Sequence, residues 1–306
     1  MRRFLVRRVL GLIPTMLIIV AISFWLIRLA PGSPFAAEKT VAPEVIADLE
    51  KKYGFDQPQS VQFVRYLENV FLHGDLGLST KYPQRTVNEI ILDGFPVSFT
   101  LGIIALVWAL LLGVSAGIIG AMRQNTAWDY SAMTFAMVGI SVPSFVLGPI
   151  LALIFSLTLY WLPPAGWGTW KHVILPGLTL GTLYAGVVAR LTRGGLLEVV
   201  RQDFVRTAHA KGLPERLVIW RHILKGGLLP LVSYLGPMIA ALFSGGLVVE
   251  KIFAAPGLGP YFADAAHNRD YFLTMGMVIF YSAFLLLANL FVDIAYGFLD
   301  PRIRYE

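Results

Sequence analysis

Cysteine is absent from the sequence, and charged residues are scarce. Without a thiol, the chain can form no disulfide, no thiolate metal site and no cysteine nucleophile. Only 14% of the 306 residues are charged, whereas a soluble domain carries about 25%. The charges are also clustered, which leaves long uncharged runs between them. This composition indicates a membrane protein.

The apolar runs also lack the residues that catalysis or ion coupling needs. A secondary transporter needs ionisable side chains inside its spans to couple ions. A membrane-embedded enzyme needs a nucleophile with a base, or a pair of carboxylates. The Gly-rich turn at 256–259 is not followed by the Lys-Ser/Thr of a phosphate-binding loop. His209 and His222 lie far from any carboxylate pair suited to zinc. We therefore expect no catalytic residue, bound cofactor or metal, and a self-contained secondary transporter is the alternative class of function.

Six uncharged runs are long enough to span a membrane as helices, which takes about 20 residues each. They cover residues 9–27, 95–122, 130–162, 173–189, 226–249 and 271–292. The first follows a basic start that resembles a signal peptide, but it is too long for a signal core and ends on Arg28 without a small-x-small cleavage site. The sequence thus predicts an all-α polytopic membrane protein of about six spans, the first of them uncleaved.

The basic residues predict the orientation of these spans. They concentrate before the first span, between the fourth and fifth, and after the sixth, three regions that lie on one side if there are about six spans. Cytoplasmic loops carry excess Lys and Arg, so both termini are expected in the cytoplasm. The net charge of +6 is explained in this way, and no nucleic-acid partner is predicted.

The acid-rich segment 30–94 is then expected outside, as a small ordered lobe. Two short helices are predicted in it, Pro43–Tyr53 and 61–72, and aromatic residues recur through it. The predicted division is therefore residues 1–29 for the amino terminus and first span, 30–94 for a periplasmic lobe, and 95–306 for the transmembrane core. The core contains a cytoplasmic loop at 191–228.

That cytoplasmic loop carries the most informative pattern in the chain. Gly212 is placed as the glycine that ends a helix in the left-handed conformation, and Pro214 suits the first turn of a second helix. Two short helices with a sharp corner are therefore predicted, with small residues (Ala208, Ala210, Gly212) that let a partner approach closely. One apolar stripe is expected on the first helix and the residues before it: Leu197, Val200, Phe204 and Ala208.

The corner resembles the coupling-loop signature of ABC importer permeases, which has Glu-Ala-Ala, three residues and then Gly. Here Arg206-Thr-Ala-His-Ala-Lys-Gly212 fills the pattern, with Arg206-Thr207 in place of Glu-Ala. That departure is typical of the peptide-importer branch. Three further segments resemble marks of the same branch, namely 28–34, 249–259 and 300–305. The resemblance therefore covers nearly the whole chain. The chain is similar to the oligopeptide/dipeptide family of binding-protein-dependent permeases, and within it to the B-type subunits.

This resemblance implies a type I ABC importer permease fold in the bacterial inner membrane. It also implies a second homologous permease, two ATP-binding subunits that hold ATP and Mg, a periplasmic substrate-binding protein and a peptide substrate. Oligopeptides are the expected cargo, while relatives that import dipeptides, glutathione or nickel leave those as alternatives. Coupling to the ATPases is assigned to Arg206, Thr207, Ala208, His209, Ala210, Lys211 and Gly212.

A gate or translocation path is predicted at two further places. A kink with polar groups in the third span can face the path, although ordinary helix packing is the alternative. Glu250 and the turn after the fifth span can shape an outer gate, and the alternative there is an ordinary turn beside a local ion pair. The candidate residues are Ser141, Pro143, Ser144, Glu250, Pro256, Gly257 and Gly259.

Overall fold

The computed structural model describes residues 2–29, 35 and 43–299 of the chain. Residues 30–34 of the first family mark and the whole mark at 300–305 lie outside the described residues. The described chain is built from fourteen α-helices. They are α1 Arg2–Leu29, α2 Pro43–Tyr53, α3 Gln59–Glu68, α4 Val87–Met122, α5 Ala127–Ser141, α6 Ser144–Ala152, α7 Ile174–Val200, α8 Asp203–Ala210, α9 Glu215–Val218, α10 Leu224–Gly227, α11 Leu229–Phe243, α12 Leu247–Ile252, α13 Leu258–Asn268 and α14 Tyr271–Leu299.

Five stretches of helix are long and apolar enough to cross a membrane, and a bent pair can supply a sixth span. The five are Leu10–Leu29, Val87–Met122, Trp170–Val200, Leu229–Ile252 and Tyr271–Val292. The prediction of about six apolar spans agrees with this. The second span begins at Val87 rather than at residue 95, because Thr86 and Glu89 form a capping box. The Glu89 amide donates to Thr86 Oγ1 (3.2 Å), and the Thr86 amide donates to Glu89 Oε2 (2.9 Å).

The third predicted span is a broken one. The sequence predicts one run over 130–162 with a kink, whereas the structure has α5 and α6 meeting at 107°. The cause is Pro143, which disfavours helical backbone at Val142 and lacks an amide for the helix ladder. Val142 is extended (φ −100°, ψ 116°). The predicted kink is therefore present at the predicted place, and it is a break of 107° between two helices rather than a bend within one helix.

The described helices group into two compact units, Met1–Pro96 with Gly257–Leu286 and Val97–Pro256 with Leu287–Glu306. In the first unit, aromatic residues of the predicted lobe pack into the core. The Phe63 ring lies 5.0 Å from the ring of Phe24 in α1, and Phe55 stacks on Phe272 in α14 at 5.7 Å. Phe71 is exposed. The lobe helix Pro43–Tyr53 forms as predicted. The predicted helix 61–72 starts earlier, as α3, and continues as a π-helical turn to His73.

A buried carboxylate also joins the lobe to the start of α14. Asp270 is fully buried and accepts hydrogen bonds from the Ser79 hydroxyl and from the amides of Lys81 and Leu273. The Ser79 carbonyl in turn accepts from the Tyr53 hydroxyl at 3.0 Å. A buried charge is tolerated only when it is hydrogen-bonded in this way. The lobe is therefore part of the packed core of its unit.

The second unit is organised around α7. More than half of the apolar stretch that contains α7 is buried, whereas a third or less is buried in the other four candidate spans Leu10–Leu29, Val87–Met122, Leu229–Ile252 and Tyr271–Val292. Helices α5, α6, α10 and α11 all pack against it. The segment predicted as the cytoplasmic loop, 191–228, begins within the last third of this central helix, so its first ten residues belong to α7.

Candidate functional site

The predicted corner is formed by α8, Gly212 and α9. Gly212 has φ +72°, the left-handed region in which glycine has no steric penalty. The Leu213 amide donates to the Ala208 carbonyl (3.3 Å), and the Gly212 amide donates to the His209 carbonyl (2.9 Å). These are the two hydrogen bonds of a Schellman motif, which confirms the predicted helix end. Pro214 follows in extended backbone as the cap of α9, one position before the first turn for which it was predicted.

The corner is fixed to the rest of its unit by a buried apolar cluster. Val205 and Ala208 of α8 are 1% and 4% exposed, and they join residues from α4, α7, α9 and the helices that follow. The backbones of α7 and α10 also approach closely, because a Cβ built on Gly195 in α7 would lie 2.2 Å from the carbonyl oxygen of Gly227 in α10. The corner and the end of α7 therefore form one packed body. The remaining buried members of the cluster are Ala121, Leu196, Val199, Val218, Ile223 and Leu224.

This packing corrects two predictions about side chains. Ala208 was expected to leave room for a partner, but it is buried and packs inside the chain. Phe204 was expected on the apolar stripe, yet it is 45% exposed. The cause is a break at Arg201 and Gln202, where α7 ends and α8 starts. The helical register restarts there, and Val205 takes the inward position.

The other six signature residues are exposed, namely Arg206, Thr207, His209, Ala210, Lys211 and Gly212. Arg206 lies 3.5 Å from Asp203, but both side chains are exposed, so this pair contributes little stability. Leu217 and Trp220, which follow in the chain, are exposed as well, Trp220 by 67%. A Cβ built on Gly212 meets no atom within 4 Å. The corner therefore presents a surface of basic and large apolar side chains that the chain itself leaves uncovered.

An ion pair near the base of the corner was not predicted. The Arg193 guanidinium in α7 donates two hydrogen bonds to the Asp129 carboxylate in α5. They run from Nε to Oδ1 and from Nη2 to Oδ2, each with a donor–acceptor distance of 2.8 Å. Asp129 is buried, and it also accepts from the Asn125 amide at 3.0 Å. Such a bidentate pair fixes orientation as well as distance. It fixes the start of α5 to α7, ten residues before α8 begins.

The gate candidates in the third span lie at the break between α5 and α6. Ser141 and Pro143 are exposed, and Ser144 is half-buried at the start of α6. The Ser141 hydroxyl donates to the Met137 carbonyl of its own helix at 3.2 Å, so its hydrogen bonding is satisfied locally. What these residues face in the assembled transporter stays a prediction.

Glu250 lies in α12 and is buried rather than at an open surface. Its Oε1 atom accepts from the Ser98 hydroxyl (2.8 Å) and from the Gly246 amide (3.2 Å). Helix α6, which begins at Ser144, packs against α12. The structure thus brings the helices of two gate candidates, Ser144 and Glu250, into contact.

The remaining gate candidates form a turn whose parts differ in exposure. Pro256 is exposed, whereas Gly257 and Gly259 are buried, and Gly257 is the extended residue that caps α13. Ala254, two residues before the proline, holds φ +50°, which is unusual for a residue with a Cβ. The turn is therefore well defined, and its role as a gate stays a prediction.

Comparison with known proteins gives matches over the whole chain. The family model described as "Binding-protein-dependent transport system inner membrane component" matches residues 109–305, and its amino-terminal companion matches residues 1–102. The chain is 47% identical to the oligopeptide transport system permease protein OppB of Salmonella typhimurium, over 100% of both chains. It is 40% identical to the dipeptide transport system permease protein DppB of Bacillus subtilis, over 99% of this chain and 98% of that protein.

Among solved structures, the inward-facing MetNI methionine ABC transporter resembles this chain with a TM-score of 0.57. That match covers 69% of this chain and 96% of the other, with 13% identity. At such low identity the likeness shows a shared fold.

Proposed function

The chain belongs to the family of inner membrane components of binding-protein-dependent transport systems, and we propose that it is the oligopeptide-carrying half of a translocation path. It is a permease of an ABC importer with the type I fold, and it is not an enzyme. ATP is hydrolysed by separate ATPase subunits. The proposed division of labour places no cofactor on this chain and places ATP and Mg on those partners.

The corner at residues 206–212 is the proposed point of coupling to an ATPase subunit. This proposal is supported by the difference in burial between the two sides of the corner. Val205 and Ala208 fix α8 to α7 through buried packing, while the opposite side of the corner is exposed and ends at Gly212, which faces open space. A helix mounted in this way can enter a partner's groove and pass on a rigid-body movement, because packed elements shift as units.

The remaining partners and the orientation are proposed from the family to which the chain belongs. A second homologous permease completes the path, and a periplasmic binding protein delivers the peptide. The acid-rich lobe is the proposed receiving surface, since Glu44 and Asp48 of α2 are exposed and charge complementarity guides association. Both termini and the corner are placed in the cytoplasm, and the lobe in the periplasm. The helix break at Pro143 and the buried Glu250 are proposed to line or shape the path.

Oligopeptides are the proposed cargo because the 47% identical relative is named for oligopeptide transport, while the relative named for dipeptide transport is 40% identical. Dipeptides, glutathione and nickel are the competing cargoes. The test is uptake into proteoliposomes that contain the complete transporter, with labelled peptides of two to six residues, glutathione and Ni²⁺ offered in turn. We expect accumulation of peptides longer than two residues. Accumulation of dipeptides, glutathione or nickel alone would contradict the proposed cargo.

A further inference from the structure

A cavity of about 240 Å³ lies in the first unit, between the lobe and the ends of two candidate spans. Arg28 comes from the end of the Leu10–Leu29 span, and Tyr271 and Phe272 come from the start of the Tyr271–Val292 span. The remaining lining comes from α2, from α3, from the segments that follow these two helices, and from Met275 of α14. In a membrane, the ends of spans lie at the level of the lipid headgroups. The cavity is therefore placed where a headgroup would meet the protein.

The cavity is basic although the lobe around it is acid-rich. Among the described residues that line it, four carry cationic side chains (Arg28, Lys51, Lys52 and Arg65) and one, Asp75, carries a carboxylate. An anion entering the cavity would therefore be attracted by a net charge of about three.

Arg28 is held in place by groups that do not neutralise it. Its Nη2 atom donates to Gln62 Oε1 at 2.8 Å, and its guanidinium carbon lies 3.4 Å from the centre of the Phe24 ring. Within the described part of the chain, no carboxylate pairs with it. The side chain is thus oriented at the cavity wall, where no carboxylate among the described residues balances its charge.

One polar group of the cavity wall also lacks a partner. Tyr66 is only 4% exposed, and its hydroxyl has no hydrogen-bond partner among the described residues. A buried hydroxyl without a partner is costly, so it indicates a missing acceptor. Burial raises the pKa of Tyr66, which keeps the hydroxyl protonated and able to donate.

Exposed apolar side chains adjoin residues of the cavity lining, since Val61 and Val64 line a shallow hollow together with Arg65 of the cavity wall. Val61 and Val64 on α3 are exposed, as is Leu72 in the turn that follows. At the end of α1, Leu26 and Leu29 are exposed as well. A soluble anion makes no use of such a surface, whereas the acyl chains of a lipid would cover it.

We propose that the cavity binds the phosphate of an anionic phospholipid in the leaflet next to the lobe. The phosphate accepts hydrogen bonds from the Tyr66 hydroxyl and from the cationic side chains, and the acyl chains lie along the exposed apolar residues. This inference depends on the membrane insertion of α1 and α14. It does not depend on the cargo, on the ATPase coupling or on which side of the membrane the lobe faces.

The test is native mass spectrometry of the complete transporter released from nanodiscs of phosphatidylglycerol or phosphatidylcholine. We expect phosphatidylglycerol to be retained and phosphatidylcholine not. Exchange of both exposed lysines (Lys51→Gln with Lys52→Gln) should lower the phosphatidylglycerol affinity about 30-fold, from about fivefold for each basic residue near an anionic surface. Lys81→Gln is the matched control, because Lys81 is exposed on the lobe outside the cavity lining, and it should leave the affinity unchanged.

Tyr66→Phe separates a filled site from an empty one. If a phosphate accepts the hydroxyl, this variant loses phosphatidylglycerol affinity and the melting shift that the lipid produces. If no phosphate binds the hydroxyl, its removal leaves the phosphatidylglycerol affinity and the melting shift unchanged. That result would overturn the proposal. Equal retention of lipid by the double lysine variant also overturns it. Displacement of the lipid by millimolar inorganic phosphate or by a peptide would also overturn the proposal, because the cavity would then bind a soluble ligand.

Discussion

Replacement of Gly212 by tryptophan tests the proposed coupling corner, because the structure separates the cost to folding from the cost to docking. At φ +72° a residue with a Cβ is strained by about 1 kcal/mol. No atom of the chain lies within 4 Å of a Cβ built there, so the new ring adds no internal clash. This strain is too small to unfold the transmembrane helices. We expect Gly212→Trp to insert and fold normally.

The same ring occupies the surface that the ATPase is proposed to cover. A displacement of about 1 Å can cost a positioned mechanism roughly 100-fold in rate. We therefore expect ATPase association to weaken and ATP-driven uptake to fall by about that factor. Binding of the external receptor should survive, since its proposed site is on the other side of the membrane. Insertion, ATPase co-purification and uptake are scored separately on the complete transporter.

Two variants control for backbone strain. Gly212→Ala carries the same left-handed strain with little added volume, and it should retain most of the uptake. Gly74→Trp places the same ring at φ +66° in equally open space on the lobe, and it should leave ATPase association intact. Wild-type uptake by Gly212→Trp with intact assembly would show that this corner is not the coupling element. Loss of insertion would show that Gly212 serves folding.

Three further predictions follow from described side chains. Single cysteines at Glu68 and Arg216, both exposed, should react with an impermeant thiol reagent from opposite sides of the membrane, and labelling of both from one side would refute the orientation. Asp129→Asn should lower the stability by roughly 3 kcal/mol, because it leaves Arg193 without its charged partner; an unchanged thermal melt in detergent would show that the pair is not stabilising. Ala254→Gly should raise the stability by about 1 kcal/mol, since it relieves φ +50°; a lower melting temperature would contradict this.

The parts of the structure that sequence predicted well are set by neighbouring residues. The helix Pro43–Tyr53 was predicted with its bounds from Pro43 and the glycine that follows. The left-handed Gly212 was predicted because a C-cap glycine acts within a few residues. Apolar spans are likewise local, since the bilayer thickness alone sets their length.

The parts that sequence missed depend on residues far apart in the chain. Asp129 and Arg193 are 64 positions apart, and neither stands in a motif that would pair them. The outward position of Phe204 depends on the break after Val200, which restarts the register of the apolar stripe. The basic cavity was missed for the same reason, because Arg28 and Arg65 meet only through folding.

We propose that this chain is a passive path through the membrane and that ATP hydrolysis on partner subunits supplies the free energy of transport. The most direct test of this proposal is peptide uptake into proteoliposomes that hold the complete transporter and binding protein, with ATP or with an imposed ion gradient. We expect accumulation that requires ATP and is unchanged by ionophores that collapse the gradient. Accumulation driven by the gradient without ATP, by this chain alone, would contradict it.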